Sequence, residues 1–369
     1  MNLSPLFRPV SFSLENPFGL NDFLGQSVSV ATHEKDYAPQ QLESADIIVA
    51  GLPAFDGHPQ FTEVLKTIRT HLYALRSLSL SIVDLGDFSI PKEHPDYVAG
   101  IQLFVETVAS WKARILLLSE DTLPSAILQA LAKQKTLNIT CLNNHFRSLE
   151  KLQEMMQQGL SVGNFALLGY QNYLVDAFSE AELDRLSIEP VRLSAVSHSP
   201  DTLEPYLYDA DWAHLSVNVV KSSDAPATLR PSPNGLSGTE FCQTAYFAGL
   251  GGRTQWLSIS DINPEKDYDE TAHLAAQAFW LFLDGIVKHI DEHPFGNNKH
   301  IQRFIVINEV YKRHFVFYKS MLSGRWWLEV PTKDKTTVIA TSYRDYKMAG
   351  QQDIPERWWR FFKRNSSEL

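Results

Sequence analysis

The stretch DWAHLSVNVVKSSD, residues 211–224, followed by Ala225-Pro226, decides how this chain is read. Its centre, His214-Leu215-Ser216-Val217-Asn218-Val219-Val220, alternates apolar and polar side chains, as a buried strand does where it surfaces at its end. Lys221-Ser222-Ser223-Asp224 reads as the loop leaving that strand, and Pro226, with no N–H to give a ladder, forbids its continuation. Pro231-Ser232-Pro233-Asn234-Gly235 then leads into a helix opened by Ser237-Gly238-Thr239-Glu240. That spacing is a capping box, in which Ser237 and Glu240 satisfy helix amides reciprocally.

Further short apolar runs lie at 45–52, 80–86, 114–118, 137–142, 165–169, 191–196 and 254–260. Apolar residues at helical spacing fill the intervals, over 61–77, 97–111, 124–134, 149–158, 179–186, 202–208, 236–249 and 271–290. About eight continuous apolar strands alternating with amphipathic helices imply a mostly parallel sheet covered on both faces, a three-layer α/β/α sandwich. Residues 1–44 carry Pro and Ser with weak periodicity and read as an irregular arm packed on this domain. The α/β/α domain is expected over 45–291. Residues 292–369 form an aromatic-rich extension of it, with strand segments at 301–306, 315–318 and 326–330, because no stretch between 291 and 301 is long enough for a free linker.

The chain has 369 residues, 44% hydrophobic and 21% charged, with a formal net charge of −10. That balance argues against a nucleic-acid or anionic-membrane surface, which needs clustered Lys and Arg. Cys141 and Cys242 each sit in an apolar pattern and read as buried free thiols of a reducing compartment. The start shows no basic segment followed by an apolar core and a cleavage site. The longest apolar run, 272–290, is interrupted by His273, Gln277 and Asp284 and reads as a buried helix rather than a membrane span. A cytoplasmic location is expected.

In parallel α/β sheets the loops leaving the carboxyl ends of the strands line the ligand site. Three such loops carry polar residues here: Ser119-Glu120-Asp121-Thr122, Asn143-Asn144-His145-Phe146-Arg147, and Ser216 to Asp224. Their order resembles the ureohydrolase superfamily of arginases, agmatinases and formimidoylglutamases. Asp84-Leu85-Gly86-Asp87, Gly169-Tyr170-Gln171-Asn172-Tyr173, Gly235-Leu236-Ser237 with Glu240, and Asp261-Ile262-Asn263-Pro264 fall in that family's order and separations. In the tail, residues 324–330 (GRWWLEV) and 354–358 (IPERW) are similar to the formimidoylglutamase-like proteins of Bacteroidetes. The resemblance runs from about residue 45 to the end and implies the arginase-like fold.

The family builds a two-manganese site from these three loops. Carried across, its first-loop histidine falls on Glu120, or on Asp121 after a one-residue shift, and its two glycines on Leu117 and Leu118. In the second loop Asn143 and Arg147 stand for aspartates, while His145 is retained. In the third, Ser216 and Asn218 replace both aspartates of Asp-x-Asp. Two divalent ions bring four positive charges; here Glu120 and Arg147 sum to about zero. Uncompensated divalent ions in a partly buried pocket are disfavoured by roughly several kcal/mol each. Without metals nothing lowers the pKa of water towards neutrality.

The resemblance therefore implies the fold without manganese, no metal and no cofactor, and a chain that acts by binding an unknown protein partner or small ligand in a remnant pocket. Arg147 is expected to pair with Glu120 across that pocket, with Asp121 and Glu240 as further ligand-facing candidates. In the family the glutamate matched by Glu240 sits near the substrate guanidinium. Two rivals stay open: an active hydrolase of a guanidino or formimino C–N bond with an altered metal site, and an obligate or homo-oligomeric subunit of a larger assembly.

Plainer readings stand beside these. His145 suits a hydrogen-bonded buried histidine, and Asp261 before Asn263-Pro264 suits a strand-end turn former. His289, His293 and His300 suit a solvated helix end better than a zinc site with no fourth ligand. Ala248 to Arg253 suits a glycine C-cap rather than a phosphate loop. Trp326, Trp327, Trp358 and Trp359, with Arg325, Arg357 and Arg360, suit packing of the tail and cation–π contacts more than ligand stacking.

Overall fold

The structure is a computed structural model describing residues 3–11, 16–30, 42–53, 60–145, 154–156, 159–160, 162–175, 183, 185–186, 188–198, 202–296, 299–332 and 336–365. The apolar runs become the central strands β3 (Ile47–Leu52), β4 (Ile82–Phe88), β5 (Arg114–Ser119), β6 (Leu137–Leu142), β7 (Val162–Tyr170), β8 (Glu189–Arg192), β9 (Trp212–Ser216) and β10 (Trp256–Ser260). Every pairing among these eight is parallel. The arm also joins the sheet, contrary to its reading as irregular. Its two-residue strands β1 (Phe7–Arg8) and β2 (Ser29–Val30) both pair with β4, β1 antiparallel and β2 parallel. Strands this short carry no readable alternation. Among the described residues the sheet has ten strands, in the order β1-β4-β3-β5-β10-β9-β6-β7-β8, with β2 also on β4.

Both faces are covered because alternate side chains of a strand point to opposite sides. Ile47 and Val49 of β3 enter one core with helices α1 (Phe61–Tyr73), α6 (Gly238–Gly251) and α7 (Asp269–Val287). Ile48 and Ala50 enter the other with α2 (Tyr97–Ala109) and α3 (Ser125–Ala132). On the first face α6 and α7 pack backbone to backbone. A Cβ on Gly249 would strike the carbonyl of Phe282, and one on Gly285 that of Tyr246. The Asp84-Leu85-Gly86-Asp87 motif holds α1 to the sheet: Arg69 is fully buried, with Nε 2.8 Å from Asp84 Oδ2 and Nη1 2.8 Å from Asp87 Oδ1.

Two expected elements change. Residues 193–196 belong to helix α4 (Leu193–His198), because the β7 ladder is already irregular between Leu168 and Tyr170 and β8 ends at Arg192. The strand expected to reach residue 219 ends at Ser216. Its Oγ accepts the Asn218 N–H at 3.2 Å, and residues 217–219 form a single 3-10 turn. Helix α5 (Glu204–Tyr208) precedes β9. The helices expected over 149–158 and 179–186 fall mostly outside the described residues.

The tail forms its own antiparallel sheet, β11 (Ile301–Asn308), β12 (Arg313–Ser320), β13 (Trp326–Pro331) and β14 (Thr336–Thr341), followed by α8 (Tyr343–Gly350) and α9 (Glu356–Asn365). The fourth strand, β14, lies outside the segments expected from the sequence. Phe315, Phe317, Leu328, Val330, Trp358 and Phe362 make a separate core there. Two buried arginines fasten it to α5 and its surroundings. Arg325 lies over the Tyr208 ring at 4.4 Å and donates to the carbonyls of Leu250 and Ile290. Arg357 lies over Tyr206 at 4.7 Å and donates to Asp209 Oδ2 at 2.8 Å. Trp326, Trp327 and Trp358 are buried in this packing, while Trp359 is exposed. Among the described residues no helix is long and apolar enough to cross a membrane.

Candidate functional site

The chain leaves a slot when it passes from β5 to β6, and β9 and β10 later fill it. The carboxyl ends of β5, β10, β9 and β6 therefore lie side by side, and with them the three polar loops. This is the crevice where open α/β sheets bind ligands.

At the end of β9, Ser216 and Asn218 are both buried. The Ser216 hydroxyl donates to Asp261 Oδ2, and Asn218 Oδ1 accepts the Arg230 N–H at 2.8 Å. At the end of β6, Asn143 Oδ1 accepts the Asn144 N–H at 2.8 Å and lies 2.8 Å from His145 Nδ1. Asn144 Nδ2 donates to the Asn218 carbonyl at 2.6 Å and so ties the second loop to the third. Asn143 Nδ2 and Asn144 Oδ1 are buried and meet no hydrogen-bond partner among the described residues. A cavity of ≈ 550 Å³ opens beside Asn144, lined in part by His145, Tyr173, Arg230 and Asn234.

The first loop contributes differently from expectation. Glu120 is half-buried and its N–H reaches the Leu52 carbonyl at 3.4 Å. Asp121 forms an ion pair with Lys92 at 3.0 Å, which occupies its carboxylate. Thr122, the residue after, enters the crevice network. Glu240 serves the helix start: its Oε2 accepts from Ser237 N at 2.7 Å and Oγ at 2.8 Å, closing the capping box. Arg147 lies outside the described residues, and with it the expected pairing to Glu120.

The residue that organises the crevice floor is Asp261, which follows β10 and was read only as a turn former. Its backbone is left-handed, at φ 73°, and its carboxylate is buried. The hydroxyls of Thr122, Ser216 and Ser260 all donate to it, at 3.0 Å from Ser260 and 3.0 and 3.1 Å from Thr122. Burial pushes this carboxyl above the ordinary carboxylate range, and the hydroxyls and the Arg230 charge pull against that.

Below Asp261 the same sheet face carries Trp212, His214 and Ser216 on β9 beside Trp256, Ser258 and Ser260 on β10. Trp212 Nε1 donates to Ser258 Oγ at 2.8 Å; Ser258 Oγ lies 2.7 Å from His214 Nδ1; Ser260 Oγ lies 3.1 Å from His214 Nε2. An indole can only donate and a carboxylate can only accept. With Asp261 ionised, that fixes the direction of the chain. Trp212 gives to Ser258, Ser258 to Nδ1, Nε2–H to Ser260, and Ser260 to Asp261. Burial holds His214 neutral, lowering its pKa from 6.5 to about 3. His214 and Ser260 were missed by the sequence reading. The available signal was the matching pair of alternating strands, Trp-x-His-x-Ser and Trp-x-Ser-x-Ser.

Among the described residues no three His, Cys, Asp or Glu side chains group so as to hold a metal ion. His289 instead packs its ring over Gly252, the left-handed C-cap of α6, with Nδ1 2.7 Å from the Leu250 carbonyl. Cys141 and Cys242 are buried and not joined in a disulfide, and burial pushes the Cys242 thiol up to about 12.

No family model and no curated protein matches the chain. Solved structures do. Trypanosoma cruzi formiminoglutamase with manganese superposes at a TM-score of 0.61 and 18% identity, covering 69% of this chain and 97% of that one. Bacillus subtilis formimidoylglutamase does so at 0.63 and 16%, covering 78% and 98%. Thermoplasma volcanium agmatine ureohydrolase gives 0.55 and 18%, covering 68% and 94%. The chain has the arginase-like fold that these ureohydrolases share.

Proposed function

We propose that this is a ureohydrolase-fold protein without a dinuclear metal centre, which acts by binding a small polar ligand in the crevice rather than by metal-dependent hydrolysis. One observation carries the reading: three of the side chains at the former ligand positions turn their oxygens to protein hydrogen-bond partners. Ser216 Oγ is engaged with Asp261, Asn218 Oδ1 with the Arg230 amide, and Asn143 Oδ1 with Asn144 and His145. Two divalent ions need anionic oxygens that this neutral set does not supply, and the donors do not fit them. On the crevice floor Asp261 offers a carboxylate, and three hydroxyls already occupy it.

Asn144 lines the cavity, and its Oδ1 meets no hydrogen-bond partner among the described residues; an amide at this place suits a polar ligand group. Metal analysis of the purified protein, paired with a manganese-supplemented assay on arginine, agmatine and formimidoylglutamate, tests the reading. The expectation is no stoichiometric manganese and no release of urea or formamide above background. Manganese at one or more ions per chain together with turnover would overturn it in favour of an active hydrolase with an altered site.

A further inference from the structure

The tail sheet ends in a strand with one open side. β11 pairs with β12, and no described strand lies on its other edge. The hairpin register fixes which residues face outward. Met321 N–H reaches the His300 carbonyl at 2.8 Å, so these two form a hydrogen-bonded pair. Opposed residues of an antiparallel ladder alternate between bonded and non-bonded pairs. Residues 302, 304, 306 and 308 are therefore bonded to β12, while Ile301, Arg303, Ile305 and Ile307 turn their N–H and C=O groups to the open edge. Gln352 closes one end of that edge: its Nε2 donates to the Ile307 carbonyl at 3.2 Å and its Oε1 accepts the Glu309 N–H at 2.8 Å. The backbone groups of Ile301, Arg303 and Ile305 meet no hydrogen-bond partner on this side among the described residues.

The side chains of these residues share one face of the sheet. Ile305 and Ile307 are 54% and 58% exposed there, and Val310 and Tyr311 of the following turn are exposed as well. Strand edges left in water are ordinarily blunted by Lys, Pro or a bulge. β11 has none of these: it reads IQRFIVIN and pairs with β12 without a shift of register.

We infer that β11 is the contact through which two copies of this chain associate, antiparallel about a two-fold axis at Phe304, so that two four-stranded tail sheets become one. The strand is self-complementary in that register. Ile301 stands opposite Ile307 of the second copy, Arg303 opposite Ile305, Gln302 opposite Val306, and Phe304 opposite Phe304. Outward backbone groups then meet outward backbone groups along the whole stretch that Gln352 leaves open. Lys299 and Glu309 lie five residues to either side of Phe304, both exposed and in no ion pair among the described residues. The two-fold sets each Lys299 against Glu309 of the other copy, at both ends of the contact. An unrelated extended peptide could satisfy the same backbone groups, but only a second copy brings both matched charges. Exposed pairs of this kind contribute about 0–1 kcal/mol each, so they set register, while the ladder and the isoleucine contacts carry the association.

The test is sedimentation velocity of the full chain from about 1 to about 100 μM, where a contact of modest size assembles by mass action. A shift from monomer to dimer mass is expected. Ile305→Pro removes an outward N–H that the monomer does not use, and an edge strand tolerates Pro there, so this variant is expected to stay monomeric. Ile305→Lys, which leaves the backbone unchanged, is expected to do the same and guards against a folding defect. Lys299→Glu and Glu309→Lys should each weaken the dimer by roughly two- to tenfold, and the two combined should restore it. A chain that is monomeric throughout, a dimer indifferent to both Ile305 variants, or charge variants whose effects add instead of cancelling would overturn the inference.

Discussion

The imidazole of His214 and the carboxylate of Asp261 are joined through a single hydroxyl, Ser260 Oγ, 3.1 Å from His214 Nε2 and 3.0 Å from Asp261 Oδ2. Burial shifts the two groups in opposite directions, the histidine down and the carboxyl up, so each is pushed towards its neutral form.

The His214 shift makes stability depend on pH. The unfolded chain takes up a proton near 6.5, while the folded chain resists it to about 3. The histidine's contribution is therefore complete above pH 6.5 and is lost as the pH falls from there towards 3, amounting to roughly 4–5 kcal/mol over the whole window. Asp261 acts with the opposite sign: its raised value gives a contribution that is full below 3.8 and fades as the pH rises through the folded value. Urea denaturation from pH 7 to 4 in wild type and His214→Gln isolates the histidine. The variant is expected to lose most of the acid-side slope, and an unchanged slope would remove His214 from the account.

Ser216→Asp introduces a carboxylate at the end of β9 and sets it against Asp261. Two buried carboxylates in contact cannot both ionise cheaply. The variant is expected to lose about 2–4 kcal/mol at pH 7 and to recover part of that in mild acid. Adding Asp261→Asn should relieve the repulsion, which a double-mutant cycle measures directly.

Removing Arg357 takes an ion-pair partner from both Glu189 and Asp209, and breaking a buried pair on one side costs about 3–5 kcal/mol. Arg357→Ala is expected to lower the melting temperature and to make the tail sheet susceptible to limited proteolysis before the main sheet. Simultaneous loss of both would show that the pair does not fasten the tail selectively.

Ser237→Ala should cost about 1 kcal/mol through the lost cap of α6. Because Glu240 is turned to Ser237, Glu240→Gln should leave ligand binding in the crevice unchanged, and titration of both proteins with one crevice ligand checks this.

Manganese should neither raise the melting temperature nor, on chelation, lower it, since ions stabilise a fold only by binding it. Calorimetric scans with added manganese and with chelator provide the comparison. A rise of several degrees at micromolar metal would contradict the reading of the crevice.

The main strands were legible because each is an apolar run closed by a Pro, Gly or polar turn, and a buried parallel strand needs little else. What escaped depended on pairing. β1 and β2 are two residues long and exist only because β4 offers them an edge. Residues 193–196 look like strand until the sheet edge ends at Arg192. At the crevice, the neutral side chains of Ser216 and Asn218 could be read in place. The partner of Ser216 could not, because Asp261 reaches it only through the in-register pairing of β9 with β10, where Ser216 stands opposite Ser260.

The strand order also sets when the crevice can come into being. β5 and β6 are made early, but the two strands between them end at residues 216 and 260. A nascent chain shorter than about 260 residues must carry two open strand edges at what will become its centre. Such edges invite pairing with other chains, and closure waits for contacts of long sequence separation. The most protected part of the finished molecule is thus the last of the main sheet to close, and the part most in need of shelter during synthesis.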